Sequence, residues 1–232
     1  MSRPRDRRHH GGLVATASRH ARSLPDRFPE ISLRCWKGRL PGVRAGTGFR
    51  GARLVTDPLR LALFLVLSAF AVAASLHAWR THEAYGAVRF LAFEFLALLV
   101  SWNARRWFRE PLSVSQMVSW VLMAASTILA LHGLHLLKVV GRAQARVIED
   151  TRSLVQVGAY RWIRHPLYGS LLVFGWGVFF KGTDLPSAAL ASAASLFWFA
   201  TARYEERFNI DRFGAPYSEY MRRTRMFIPF VL

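Results

Sequence analysis

Two short polar stretches stand out in an otherwise apolar half-chain: "GAYRWIRHPLYG" at residues 158–169 and "RYEERFNIDRFGAPYSEYMRR" at 203–223. Arg, His, Tyr and paired Glu are the residue types that hold charged ligands through charge-assisted hydrogen bonds. They flank an apolar block running from His165 to Ala202 that is interrupted at "KGTD", Lys181 to Asp184. Each arm is short for a membrane span, and the interruption predicts a helical hairpin. A hairpin brings its own ends together, so Arg164, His165, Tyr168, Glu205 and Glu206 are expected to converge at one end of the bundle. The bland alternative is a set of interfacial ion pairs within an aromatic belt, with no ligand at all.

Other polar residues fall within apolar segments. Glu94 is one; His132 and His135 are two more, at i and i+3 on one helical face. A polar side chain at membrane depth is costly and hence a functional candidate. Two histidines are too few for a metal centre, which takes three or more protein ligands, so ordinary bundle-facing histidines are expected and no metal site is assigned. The single cysteine, Cys35, excludes an internal disulfide and any Cys-based metal cluster within one chain.

The elements that must position these residues follow from hydropathy. The chain has 232 residues, 52% of them hydrophobic, yet carries a formal net charge of +18. That combination excludes a disordered chain and suggests a polytopic membrane protein with Arg-rich connectors. Leu61 to Trp79 gives 19 residues without an acidic residue, Lys or Arg, enough for one span. A second block, Tyr85 to Asn103, contains Arg89 and Glu94; a third runs from Pro111, suited to a helix start, to Leu137. With the hairpin, the expected fold is all-α: a polytopic membrane bundle of about five helices, the last two a hairpin, followed by a helical tail. Its "LPSAALASAASLFWFA" arm is rich in small residues that permit close helix packing. Residues 1–57 read as a disordered basic tail, 58–138 as three membrane helices, and 139–232 as the region carrying the chemistry. The tail holds 13 Lys or Arg and 4 acidic residues. It can meet anionic lipid, and no specific nucleic-acid partner is expected. The positive-inside rule puts the Arg-rich connector and the C-terminal tail in the cytoplasm. Three preceding spans then leave Arg105, Arg106, Arg109 and the basic N-terminal tail on the other face, against the same rule.

The ordered set Gly-x-Tyr-x-x-x-Arg-His-Pro-x-Tyr (158–168), an apolar hairpin, Glu205-Glu206, Phe-Gly-x-x-Tyr-x-x-Tyr (213–220) and Ile228-Pro229 resembles the isoprenylcysteine carboxyl methyltransferase family and its phospholipid methyltransferase relatives. The resemblance covers roughly Leu154 to Phe230. Asn209 departs from it, standing where a Leu is usual, at a position read as structural. The resemblance implies an integral membrane, S-adenosylmethionine-dependent methyltransferase with its active site at the cytoplasmic face and a lipid-like or prenylated acceptor. It further implies that Arg164 and His165 hold the cofactor's carboxylate, Glu205 or Glu206 its ammonium, and that Tyr160, Tyr168 and Tyr217 border it, with Pro166 starting the helix. For a carboxylate acceptor no base is needed, and Arg222 or Arg223 would orient the anion. For an amine acceptor Glu205 would be the base. A nicotinamide-dependent membrane reductase and a non-enzymatic scaffold are the competing classes.

Overall fold

The computed structural model describes residues 57–142 and 153–229. The expected tail over 1–57 (Asp57 apart), Cys35 and part of the 139–164 connector therefore lie outside the described residues. Helix α1, Pro58–Thr81, starts where the sequence supplies both start signals: Pro58 in the first turn and Asp57 as cap, its carboxylate accepting from the Leu59 amide at 3.2 Å. A break at His82, with extended backbone, turns the chain into α2, Glu83–Asn103. The turn is tight because residue 86 is glycine; a Cβ there would fall 2.4 Å from the Trp79 backbone. Helix α3 spans Val114–Val139, α4 Pro166–Phe179, α5 Leu185–Phe213 and α6 Ala215–Arg223.

Among the described residues there is no strand; α2 packs against α1 and α5, and α4 against α3 and α5. Small residues make this closeness possible: Ala92 of α2 and Ala194 and Ala202 of α5 are buried around Trp198, which is fully buried. Large apolar side chains such as Phe70 on α1 and Ile128 on α3 point outward instead. Outward-facing apolar surface of this kind is what lipid, not water, covers. Four helices (α1, α2, α3 and α5) are long and apolar enough to cross a membrane.

Two expectations on element limits change, for α3 and α5, while α4 is short as its arm of the hairpin implied. Pro111 does not start α3; Glu110 adopts φ +50 and the chain turns before Ser113, whose extended backbone precedes the helix that opens at Val114. Helix α4 has 14 residues, about 21 Å at 1.5 Å per residue, too short to cross ~30 Å of hydrocarbon alone. Helix α5, by contrast, runs 29 residues and continues past the apolar arm, so that Glu205 and Glu206 sit on its last turns.

The turn between α4 and α5 is fastened at the end of the bundle remote from those glutamates. The Lys181 ammonium donates to Gln116 Oε1 at 2.9 Å and lies 3.2 Å above the Trp120 ring, a hydrogen bond plus a cation–π contact. Asp184 caps α5 by accepting from Ser187 N at 2.9 Å and pairs with Arg106 at 2.7 Å. Burial alone would raise the Asp184 carboxyl, but the hydrogen bonds from Ser187, Arg106 and Trp102 outweigh it and hold it at about 2.

Candidate active site

The other end of the hairpin carries the polar motifs, and a feature invisible in hydropathy positions them. After α6 the chain folds back alongside residues 162–165 as a short parallel pairing. Arg164 N donates to Arg225 O at 2.8 Å, His165 N to Met226 O at 3.1 Å, and Arg225 N to Trp162 O at 3.1 Å. Gly214 makes this return possible, its φ of +63 being a conformation glycine adopts without steric penalty. The preceding turn, Gly158–Arg161, also has glycine at positive φ and leans on α3. His132 Nε2 there accepts the Ala159 amide at 3.3 Å, which gives that histidine a structural occupation.

With its backbone clamped, Arg164 reaches across to α5. Its Nε donates to Glu206 Oε1 at 2.6 Å, and its Nη1 to the carbonyls of Thr224 (2.5 Å) and Met221 (3.2 Å), leaving Nη2 for other partners. Glu206 is 2% exposed and also lies 3.3 Å from Arg203. A buried carboxylate so held is a tether between α5 and the Arg-His-Pro segment; removing one partner of such a pair typically costs about 3–5 kcal/mol.

The neighbouring glutamate faces elsewhere, as expected for consecutive residues about 100° apart on a helix. Glu205 Oε2 accepts from the Tyr168 hydroxyl at 2.5 Å. Tyr168 OH lies 3.3 Å from Tyr85 OH, which accepts from Arg89 Nη1 at 3.2 Å. Each hydroxyl has one proton, so the chain has one polarity: Arg89 to Tyr85 to Tyr168 to Glu205. Glu205 Oε1 is left facing His165 Nδ1, 3.9 Å away. The His165 ring stacks on Tyr168 (5.6 Å between centroids), which stacks in turn on Trp198 (5.2 Å). His165 Nε2 is buried without a hydrogen-bond partner, 3.7 Å from Glu206 Oε1.

A cavity opens beside these groups. Tyr160, Arg164, His165, Tyr168, Glu205 and Tyr217 all line it, so six of the ten residues singled out in the sequence share one wall. Apolar surface from Leu137, Val155, Leu167 and Phe213 completes it. Burial pushes the phenols of Tyr160 and Tyr217 well up, so both stay neutral hydrogen-bonding groups. Glu206 and Pro166 stand behind the wall rather than in it. Arg222 and Arg223 are apart from it, on the exposed face of α6; Arg223 lies 3.7 Å from Glu219, itself exposed. Asn209, read from sequence as structural, lines the cavity and donates to Tyr217 OH at 3.4 Å. Sequence reasoning missed Tyr85 and Arg89. Their one available signal was an Arg four residues after a Tyr in an apolar segment, a spacing that puts both on one helix face.

The chain is 35% identical over 101 residues to a probable protein-S-isoprenylcysteine O-methyltransferase of Oryza sativa subsp. indica, covering 39% of this chain and 50% of that protein. It is 36% identical over 89 residues to protein-S-isoprenylcysteine O-methyltransferase B of Arabidopsis thaliana (36% and 43% covered). Against protein-S-isoprenylcysteine O-methyltransferase of Homo sapiens it is 34% identical over 88 residues (35% and 29% covered). The chain thus spans at most about half the length of these curated relatives. No family model and no solved structure matches it.

Proposed function

We propose that this chain is an integral membrane methyltransferase using S-adenosylmethionine to methylate the carboxylate of an isoprenylated cysteine or a similar lipid-like acid. The observation that carries this reading is one cavity lined by both the His165 imidazole and the Glu205 carboxylate, with Glu205 Oε1 3.9 Å from His165 Nδ1. A zwitterionic ligand with an apolar flank needs that donor set, and the membrane end of the bundle is where a polar ligand and a lipid meet. The similarity to named O-methyltransferases points the same way.

S-adenosylmethionine, when bound, supplies an electrophilic methyl group on a cationic sulfur. The chain's own residues bind and orient. The His165 imidazole and Arg164 Nη2 are the donors for the cofactor's carboxylate, and Glu205 Oε1 is the acceptor for its ammonium. Glu206 acts through Arg164 by fixing its guanidinium. Tyr168 fixes the Glu205 carboxylate, and Phe213 and Leu167 offer apolar surface. An ionised carboxylate acceptor has no proton to lose, so no base is required and positioning supplies the acceleration, for which ~7–11 kcal/mol is available in principle.

Purified protein in detergent, given methyl-labelled S-adenosylmethionine and an S-isoprenylated N-acetylcysteine, tests the reading. A label recovered as a base-labile methyl ester is the expected result. A base-stable label in phospholipid would instead establish the amine-methylating alternative, and no label in either fraction would refute methyl transfer.

A further inference from the structure

A second polar cavity, of about 220 Å³, lies on the far side of Glu205, between the end of α1, the start of α2 and α5. Neither the cofactor reading nor the sequence motifs use it. Glu205 and Asn209 line both cavities, and the Tyr85–Tyr168–Glu205 hydrogen bonds run between them. The second cavity differs from the first in its charge. Among the described residues His77, His82 and Arg212 line it, and Glu205 is its one carboxylate. His82 is held in place by stacking on Phe208, with ring centroids 4.2 Å apart.

We infer that this second cavity receives the carboxylate of the acceptor, with Arg212, His77 and His82 as its donors. The inference rests on the methyl-transfer reading and names the acceptor side of that same site. A transfer between two bound molecules needs them on opposite sides of one point, with the reacting atoms about 3–3.5 Å apart. The two cavities share Glu205 and Asn209, so ligands in them would lie on opposite sides of that pair. Glu205 presents negative charge to a cationic ligand in the first cavity. Its negative charge would repel an anion in the second, which is where three potential cationic donors are concentrated. This assignment replaces Arg222 and Arg223 as acceptor-orienting groups, since neither lines the second cavity.

Equilibrium titration of the full chain in detergent tests the site without relying on turnover. The probes are an S-isoprenylated N-acetylcysteine and its carboxamide, which differ only in charge at the proposed contact. Wild-type protein is expected to bind the acid about tenfold more tightly than the amide, as for a charge-assisted contact. Arg212→Gln combined with His82→Gln should abolish that preference and leave S-adenosylmethionine affinity within about twofold, while Arg212→Lys retains most of it. Equal affinity of the wild type for acid and amide overturns the proposal. So does a double variant that keeps the preference, or one that loses acid and cofactor binding in parallel. If the acid preference holds but no methyl is transferred, the site stands and the proposed activity fails.

Discussion

Arg164 and His165 are adjacent, similarly buried and both read from sequence as cofactor contacts, yet the structure gives them different work. Arg164 is chiefly a tether, because three of its four assigned contacts hold Glu206 and the chain after α6 in place. Arg164→Ala is therefore expected to lower unfolding stability by about 3–5 kcal/mol, because it leaves the buried Glu206 carboxylate with the longer contact to Arg203 in place of its closest ion pair. The double variant Arg164→Met, Glu206→Leu should recover most of that in thermal unfolding; no recovery would show that the pair is not the tether. Glu205 is distinguished from its neighbour by what it touches. With a carboxylate acceptor, Glu205→Gln should weaken cofactor binding but keep the rate at saturating cofactor within about tenfold. Loss of a required base would instead cut that rate by roughly 10²–10⁴. Single-turnover kinetics separates the two. The residue types were legible because Arg, His and Glu are rare in apolar sequence. The Tyr85–Tyr168 link was not, since it joins positions 83 apart through packing of α2 against α4 and α5.

At the scale of elements, the α4–α5 hairpin was readable from an apolar block broken by Lys, Gly, Thr and Asp. Its unequal arms were not, because hydropathy ends near Ala202 while the helix continues on tertiary contacts to Gly214. The turn itself depends on Asp184. Replacing Asp184 by Ala removes a helix cap and an ion pair, with an expected loss of about 1–2 kcal/mol in unfolding stability. Asp184→Asn gives the pH signature. Folding holds this carboxyl at about 2, below the ordinary aspartate value near 4, so its stabilisation is complete above pH ~4 and lost as pH falls towards 2. The thermal midpoints of wild type and Asp184→Asn should differ above pH ~4 and converge in that window. A constant difference from pH 6 to pH 2 would contradict the assignment. The same geometry places Thr183 and Tyr204 at opposite ends of the bundle. Single cysteines at 183 and 204, in a Cys35-free background, should react with an impermeant reagent from opposite sides of a sealed vesicle. Labelling of both from one side would break the hairpin topology.

The whole molecule divides by charge along its length. Among the described residues, the end holding the α4–α5 turn carries five Arg or Lys and three carboxylates, while the candidate-site end carries eleven and five. Arg105 and Arg106, the residues that argued against a cytoplasmic candidate site, are each paired with an aspartate, Asp57 and Asp184. An all-α membrane bundle was legible in composition because lipid leaves so few architectures for apolar segments. The return of the chain after α6 was not legible, since a three-bond parallel pairing leaves no periodic trace. Central to the account is that the cavity beneath His165 and Glu205 is the cofactor site. Isothermal titration of S-adenosylmethionine onto the purified chain, with His165→Ala beside wild type, measures this directly. One ligand should bind per chain, and the variant should bind about tenfold or more weakly with its thermal midpoint retained. Undiminished binding by the variant, or none by the wild type, would contradict it.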